Sequence, residues 1–319
     1  MNRLIVASVA LLAAASATAW AQHYPVKPIR FIAPFPPGGG NDFIARVAAH
    51  KLTEAMKQQV IVENRPGAGG TIGTEIGVRS APDGYTFTVV GGSYAANPSL
   101  YKLAFDPIHD VSPVIQFSQG PYVIVVHPSL RLKSVKELIA LARAKPGALN
   151  FASAGQGGLQ HLAIELFSMM AGITMTHIPY RGTGPAVTDT IAGHTQLLWG
   201  SAAAAVPQVK NGKLHAIGVS TAQRIPALPD VPTVDESGLK GYVVILWHGL
   251  IGPKGMQRPI VDRVNADLNN ALKAKEMEDK LAADGVSAAG GTPEQLAALI
   301  KRDIEVWRGV VQRAGVKAE

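Results

Sequence analysis

The feature that most constrains the fold is a recurring order of segments: a short apolar run, a glycine-rich loop, and a stretch with helical periodicity. The first case is the apolar run 28–34, the loop 34–42, and apolar residues at helical spacing between Ile44 and Met56. Alternation of this kind predicts an α/β fold. A loop almost without side chains before a helix exposes N–H groups to an anion, although a plain strand-to-helix turn is the alternative.

The same order of segments returns later in the chain. Strand-like runs that end in loops of glycine and small hydroxyl residues cover 60–71, 85–93 and 150–161. The carboxyl ends of strands form the edge where open α/β sheets bind ligands. We therefore expect these loops to contribute to one ligand cleft.

Length favours two domains, because 319 residues exceed the usual size of a single hydrophobic core. A second α/β unit begins near residue 122, and the proline-rich segment 225–232 is predicted to cross between domains. We predict one domain from 22–120 with 231–319 and another from 121–230, with the ligand cleft between them.

The first 21 residues are typical of a secretory signal peptide. Arg3 precedes an apolar run over 4–12, and small residues lead to Ala21, after which we predict cleavage. A retained anchor is the alternative, but the apolar run is shorter than the ~20 residues of a membrane span. With no cysteine, the chain has no disulfide framework and no thiolate nucleophile. The sequence predicts an exported protein of the periplasm.

Charge and motifs narrow the function. A net charge of +7 favours an acidic small molecule, and the lysines and arginines are scattered, so no nucleic-acid partner is expected. P-loop, dinucleotide and His-Glu-x-x-His patterns are absent. We therefore predict no enzyme, no cofactor and no metal. Ser153 lacks the first glycine of a nucleophile elbow, but a dispersed triad in an exported α/β hydrolase for an ester or amide remains an alternative.

Five polar residues beside the loops are candidates for ligand contact or structural support. His161 either contacts the ligand or is a core histidine that bonds the loop. Arg181 either forks onto a second carboxylate or forms an ion pair. Asp42 is interpreted as a structural helix cap. Thr71 and Ser93 are candidate hydroxyl donors.

Six motifs in order resemble one family, the solute-binding receptors of tripartite tricarboxylate transporters, also called Bug receptors. The matching pieces are Tyr24-Pro25-x-Lys27-Pro28-Ile29-Arg30, Pro34-Phe35-x-x-Gly38-Gly39-x-x-Asp42, Val62-Glu63-Asn64-Arg65-Pro66-Gly67-Ala68-Gly69-Gly70, Pro82-Asp83-Gly84-Tyr85-Thr86, Pro179-Tyr180-Arg181-Gly182-x-Gly184-Pro185-Ala186 and Leu228-Pro229-Asp230-Val231-Pro232-Thr233-x-x-Glu236. The resemblance covers nearly all of residues 22–319.

The resemblance implies a two-lobed periplasmic binding protein of type II, a flytrap in which each lobe is a mixed sheet flanked by helices. It implies capture of a small carboxylate by lobe closure and delivery to a membrane transporter; a sensory co-receptor is the alternative. Residues 35–41 and 153–161 then hold the carboxylate shared by amino-acid, di- or tricarboxylate and aromatic ligands. We expect a monomer. The predicted ligand-binding residues are Phe35, Gly38, Gly39, Gly40, Asn41, Thr71, Ser93, Ser153, Gly155, Gly157, Gly158, His161 and Arg181.

Overall fold

The computed structural model describes residues 24–38, 40–283 and 285–317. The predicted signal peptide and Gly39 lie outside these residues. The strands are β1 (Ile29–Ala33), β2 (Val60–Asn64), β3 (Thr86–Gly91), β4 (Val111–Val126), β5 (Asn150–Ser153), β6 (Thr176–Pro179), β7 (Leu197–Ser201), β8 (His215–Val219), β9 (Ile245–Pro253) and β10 (Ser287–Gly290). The helices are α1 (Gly40–Met56), α2 (Thr71–Val78), α3 (Gly92–Leu100), α4 (Val135–Ala144), α5 (Leu159–Ala171), α6 (Thr183–Ile191), α7 (Ala202–Lys210), α8 (Arg258–Leu272), α9 (Lys275–Ala283) and α10 (Pro293–Ala314).

The N-terminal sheet is built on three parallel strands. β1 pairs in parallel with β2 and with β3, and α1 and α2 make the crossovers that parallel neighbours require. β9 pairs antiparallel with β3, β4 with β9, and β10 with β4. All but one residue of β1 are buried, which explains its continuous apolar run.

The central sheet also combines parallel and antiparallel pairs. β5 pairs in parallel with β6 and with β7, while β7 and β8 both pair antiparallel with the second half of β4. Helix α5 connects β5 to β6, and α6 connects β6 to β7. Ser134 caps α4 by accepting the Glu137 N–H at 3.2 Å, the start that the sequence indicates.

One strand belongs to both sheets. In β4, residues 111–121 pair with β9, residues 122–126 pair with β7 and residues 123–126 pair with β8. The chain returns beside this point, where the Val244 N–H donates to the Ser220 carbonyl at 2.8 Å and the Tyr122 N–H donates to the Ser220 hydroxyl at 2.8 Å. The proline-rich segment 225–232 forms neither helix nor strand. The two sheets are therefore joined by neighbouring, hydrogen-bonded segments.

The C-terminal helix bridges the two sheets. α10 packs against α3, β4 and α5, and it begins with a capping box between Thr292 and Gln295. Buried Trp247 donates from Nε1 to Asp303 of α10 at 2.7 Å. The helix buries one face from Leu296 to Val311, including Trp307, so it is an integral part of the fold.

Three elements differ from the expectations. β4 begins at Val111 rather than near residue 122. Its first half is not evident from the sequence, because Pro113, Pro121 and two register shifts make its pairing with β9 irregular. α3 begins directly after β3 and contains Pro98, which lowers helix propensity. The short edge strand β10 consists of small residues and has no strand signal in its sequence.

Candidate ligand-binding site

The first glycine loop follows β1 and is held by the carboxylate of Asp42. Oδ2 accepts from the Gly38 N–H and from Arg46 Nε, both at 3.0 Å, and Oδ1 accepts from Asn64 Nδ2 at 2.8 Å. Burial raises the pKa of Asp42, but the bonds from Arg46, Gly38 and Asn64 outweigh it and lower the net pKa. Asp42 is therefore a charged brace between the loop and the end of β2.

This brace leaves the predicted residues of the first loop in different situations. The Gly38 amide is already paired with Asp42. Gly40 and Asn41 begin α1, where the first amides of a helix have no intrahelical acceptor. The ring of Phe35 lies beside Gly70, where an added β-carbon would be 3.1 Å from it. Within the described chain, the amides at this end that have no acceptor are thus those of the first turn of α1.

The second glycine loop follows β5 and satisfies most of its own amides. The Gly155 N–H donates to Ser153 Oγ at 3.2 Å, the Gly157 N–H to His161 Nδ1 at 3.0 Å, and the Gly158 N–H to the Gly155 carbonyl at 3.4 Å. Ligand contact through these three amides stays a prediction. Among the described residues, the amides here without acceptors are that of Gln156 and those of the first turn of α5.

Ser153 lies behind this loop rather than on its surface. It is 0% exposed, and its hydroxyl contacts the Gly155 carbonyl at 3.1 Å and His177 Nε2 at 2.6 Å. A hydroxyl enclosed in this way does not reach a ligand or an ester carbonyl. The geometry therefore gives the hydrolase alternative no accessible nucleophile at Ser153.

Two stacked imidazoles, those of His161 and His177, support the second loop through contacts with Gly157 and Ser153. The rings of His161 and His177 have centroids 3.8 Å apart, and His177 also stacks on Phe151 at 4.9 Å. Burial, followed by the neighbouring His161, lowers the pKa of His177 to about 3, so that ring is neutral near pH 7. His161 is 3% exposed and accepts the Gly157 N–H, which is the core arrangement that the sequence left as an alternative to ligand contact.

Gln160 and His177 are parts of this site that sequence reasoning missed. Gln160 Oε1 accepts the Ala154 N–H, and its Nε2 donates to the Trp199 carbonyl, so one side chain joins β5, α5 and β7. A polar residue at a helix start is typical of a solvated surface, and His177 is 24 residues from Ser153 along the chain. Only the fold brings them together.

The two sheets touch beside the loops. A β-carbon on Gly92, at the start of α3, would overlap Leu159 of α5, and one on Gly157 would lie 2.9 Å from Leu100 Cδ1. Glycine at both positions permits this approach. Ser93 follows Gly92 and makes no side-chain hydrogen bond within the described ranges. The starts of α3 and α5 thus lie against each other.

Arg181 and Thr71 lie at the margins. The Tyr180 and Gly182 N–H groups donate to the Ser153 and Ala154 carbonyls, both at 3.0 Å, which places Arg181 next to the second loop. Its side chain is exposed and has no ion pair in the part of the chain that the structure describes. The Thr71 hydroxyl donates to the Ala68 carbonyl at 2.9 Å, so its proton is already used.

A surface cavity of about 220 Å³ lies elsewhere, lined in part by Arg79, Asp110 and Lys254. Lys254 pairs with Asp110 at 3.2 Å, and Arg79 pairs with Glu75 at 2.7 Å. Its charges are mutually satisfied, so the glycine loops are the better candidate site. Within residues 24–38, 40–283 and 285–317, no group of three or more metal-ligating side chains occurs.

Comparison with known proteins decides the family. The model of the tripartite tricarboxylate transporter family receptor, TctC, matches residues 44–316. This chain belongs to that family. It is 37% identical to BugT of Bordetella pertussis over 300 residues, which cover 93% of this chain and 92% of BugT.

Two solved structures extend the similarity of this TctC receptor. Rpa4515 of R. palustris, solved with adipate, is 31% identical with a TM-score of 0.85 over 92% of this chain and 99% of that one. MatC of Rhodopseudomonas palustris, solved with malate, is 31% identical with a TM-score of 0.82 over 90% and 100%. The fold is that of a two-lobed periplasmic binding protein, and members of the TctC family are solute-binding receptors. No helix among the described residues has the length and apolarity to cross a membrane.

Proposed function

We propose that this TctC receptor binds a small carboxylate between its two glycine loops and delivers it to a tripartite tricarboxylate-type membrane transporter. The observation that carries the proposal is that the starts of α1 and α5, each after a strand and a glycine loop, both lie beside the Gly91–Gly92 segment. A β-carbon on Gly91 would lie 3.7 Å from Asn41 Oδ1 of α1, and one on Gly92 would overlap Leu159 of α5. Helix N-termini stabilise anions through free amides and the helix dipole. The adipate and malate bound by two relatives support a carboxylate.

In this proposal the shared carboxylate meets the first amides of α1, at Gly40 and Asn41, and those of α5. Gly38, Gly155, Gly157 and Gly158 give the backbone its shape, since their amides have partners in the loops or in the helices that follow them. Phe35, Thr71 and Ser93 form the walls. Arg181, exposed and without an ion pair in the described chain, receives the distal group of the ligand. The net charge of +7 attracts an anion over a longer range.

Capture works by lobe closure. The proposed lobes are 22–120 with 231–319, and 121–230, which meet where β4 and the Ser220–Val244 contact cross between sheets. A ligand that contacts both lobes stabilises the closed state relative to the open one. No turnover is part of this function, and the working unit is a monomer.

Export is the remaining part of the proposal. Cleavage after Ala21 gives a mature chain that starts at Gln22, and mass spectrometry of a periplasmic fraction checks that start. Recovery of transporter subunits by pull-down of the tagged receptor distinguishes a transport role from a sensory one. A receptor found only in the cytoplasm with its first 21 residues intact would contradict the periplasmic assignment.

A thermal-shift screen tests the binding function. The panel consists of malate, adipate, succinate, glutamate and benzoate, with the uncharged diamide of adipic acid as control. A ligand at one hundred times its Kd stabilises the folded state by about 2.7 kcal/mol, which is about 4–5 °C in Tm for a chain of this size. At least one carboxylate is expected to give this shift and the diamide none. Equal shifts for adipate and its diamide, or none across the panel, would refute the carboxylate function.

A further inference from the structure

His248 lies in a row of residues across three strands beside the start of α1. It is on β9, in register with Gly91 of β3 on one side and with Ser118 of β4 on the other. The side chain is 3% exposed. No other use of this buried, titratable ring is evident in the site described above.

Ser118 sets the tautomer of His248. Ser118 is 0% exposed, and Nδ1 of His248, at 3.1 Å, is the one hydrogen-bond partner of its hydroxyl within the described ranges. A buried hydroxyl needs an acceptor for its proton, so Nδ1 accepts. Burial lowers the pKa of His248 to about 4, so the ring is neutral near pH 7 and its proton is on Nε2.

The Nε2 edge of the ring faces a space bordered by glycine. A β-carbon on Gly40 would lie 3.3 Å from Nε2, and one on Gly91 would lie 3.6 Å from Cδ2. Nε2 makes no hydrogen bond to any described residue. Asn41 Oδ1, 3.7 Å from the β-carbon position of Gly91, is buried and makes no hydrogen bond within the described part of the chain. A donor and an acceptor without partners therefore lie beside the free amides of α1.

We propose that His248 is a ligand-binding residue of the first lobe, whose Nε2–H donates to an oxygen of the bound carboxylate at the start of α1, and that Ser118 positions it. The proposal rests on the proposed function and deepens it, because it adds a side-chain donor to a site otherwise formed by backbone. A neutral N–H in a fixed tautomer favours an acceptor oxygen at this position over an ammonium group, which has only protons to offer.

Three variants and one spectroscopic measurement test the proposal. His248→Phe keeps a ring and removes the donor, His248→Gln keeps an N–H donor, and Ser118→Ala removes the group that fixes the tautomer. Kd is measured by calorimetry at pH 7.5 with the panel carboxylate that raises Tm most. A hydrogen bond to a charged group corresponds to about 10- to 100-fold in affinity, which is the loss expected for His248→Phe. His248→Gln is expected within fivefold of wild type.

Nitrogen-15 NMR of the wild-type protein decides the question without relying on the variants to fold. The His248 signals, assigned by their absence in His248→Gln or by through-bond experiments, are expected to show the Nε2–H tautomer. Ser118→Ala is expected to give a mixture of tautomers, which a purely structural role in packing would not produce. Saturation with the carboxylate is expected to shift the Nε2 proton downfield.

The outcomes separate this proposal from the function on which it rests. A carboxylate that binds while the His248 signals stay unchanged, or His248→Phe binding within twofold of wild type, overturns the proposal and leaves the receptor function intact. If no panel member binds, acetate is titrated as the minimal carboxylate. A shift at Nε2 with acetate supports the His248 site even though the panel failed, and no shift overturns it.

Discussion

Replacing Asp42 with alanine tests whether the first glycine loop is braced by charge. Asp42 is 4% exposed, and its carboxylate accepts from Gly38, Asn64 and Arg46. The Arg46 side chain is 55% exposed, so that pair adds only about 0–1 kcal/mol. At about 1.5–3 kcal/mol each, the two remaining bonds to a charged acceptor raise the expected loss in free energy of unfolding to about 3–6 kcal/mol.

The assay is urea unfolding followed by circular dichroism at pH 7.5. The matched control is Glu75→Ala, which also removes an acid four residues before an arginine, the Glu75–Arg79 contact being 2.7 Å. Glu75 is 39% exposed, and its loss is expected to cost about 0.5 kcal/mol or less. The carboxylate affinity of Asp42→Ala should also fall, since the loop before α1 loses its anchor.

The stabilisation by Asp42 should depend on pH in one direction. The pKa of Asp42 is lowered in the folded state, so its contribution is present above the unfolded pKa of about 3.9 and is lost as pH falls through the folded value. The gap between wild type and Asp42→Ala should therefore shrink toward pH 3. A loss no greater than that of Glu75→Ala at pH 7.5, or a gap unchanged at low pH, would refute the charged brace.

Three further predictions follow from the second lobe. Gly157→Ala places a side chain at φ +69° against Leu100 of α3, so it should lower the free energy of unfolding by about 1–3 kcal/mol and weaken ligand binding. The control Gly172→Ala, at φ +60° with open space around it, should cost about 1 kcal/mol and leave Kd unchanged. Equal Kd values for the two variants would contradict the contact between the lobes. Burial lowers the pKa of His177 to about 3 and of His248 to about 4, so the free energy of unfolding should fall as pH drops from about 6.5. His177→Phe should make this decline shallower by up to about 1 kcal/mol per pH unit, measured by urea unfolding at pH 7 and 5. An unchanged slope would show that His177 is not neutral when folded. Arg181→Ala should leave the free energy of unfolding within about 0.5 kcal/mol of the wild-type value. Calorimetry should show adipate binding weakened about tenfold and hexanoate binding weakened less than twofold. Equal losses of affinity for the two ligands would remove Arg181 from the distal site.

Much of the architecture is predictable because its strands and helices have local signals. The apolar run at 28–34 contains β1, Ile29–Ala33, since a buried parallel strand is a continuous apolar run. The first half of β4 is not predictable in this way, because Pro113 is tolerated only through the irregular pairing with β9. Pairing with a distant strand has no signature in the local sequence.

In the candidate site, too, features with a local sequence signal are predictable and those that depend on distant residues are not. The glycine loops are visible in the sequence because glycine composition is local. What occupies their amides is not, since the partners of the second loop come from the following helix and from β6, as with His161 and His177. Similarly, the pairing of Ser118 with His248 spans 130 residues and depends on the register of β4 against β9.

The strand shared by the two sheets has a mechanical consequence. β4 runs unbroken through sixteen residues, hydrogen-bonded to β9 in its first part and to β7 and β8 in its second. Bending it sharply at one peptide would break ladder hydrogen bonds, so relative rotation of the lobes is spread along the strand as a change of twist. In the proposed closure we expect the ladder to yield most easily at its register shifts, such as that between Ile124 and Val125, where the pairing is already irregular. Residues far from the ligand, in the ladder of β4, thereby influence how readily the receptor closes.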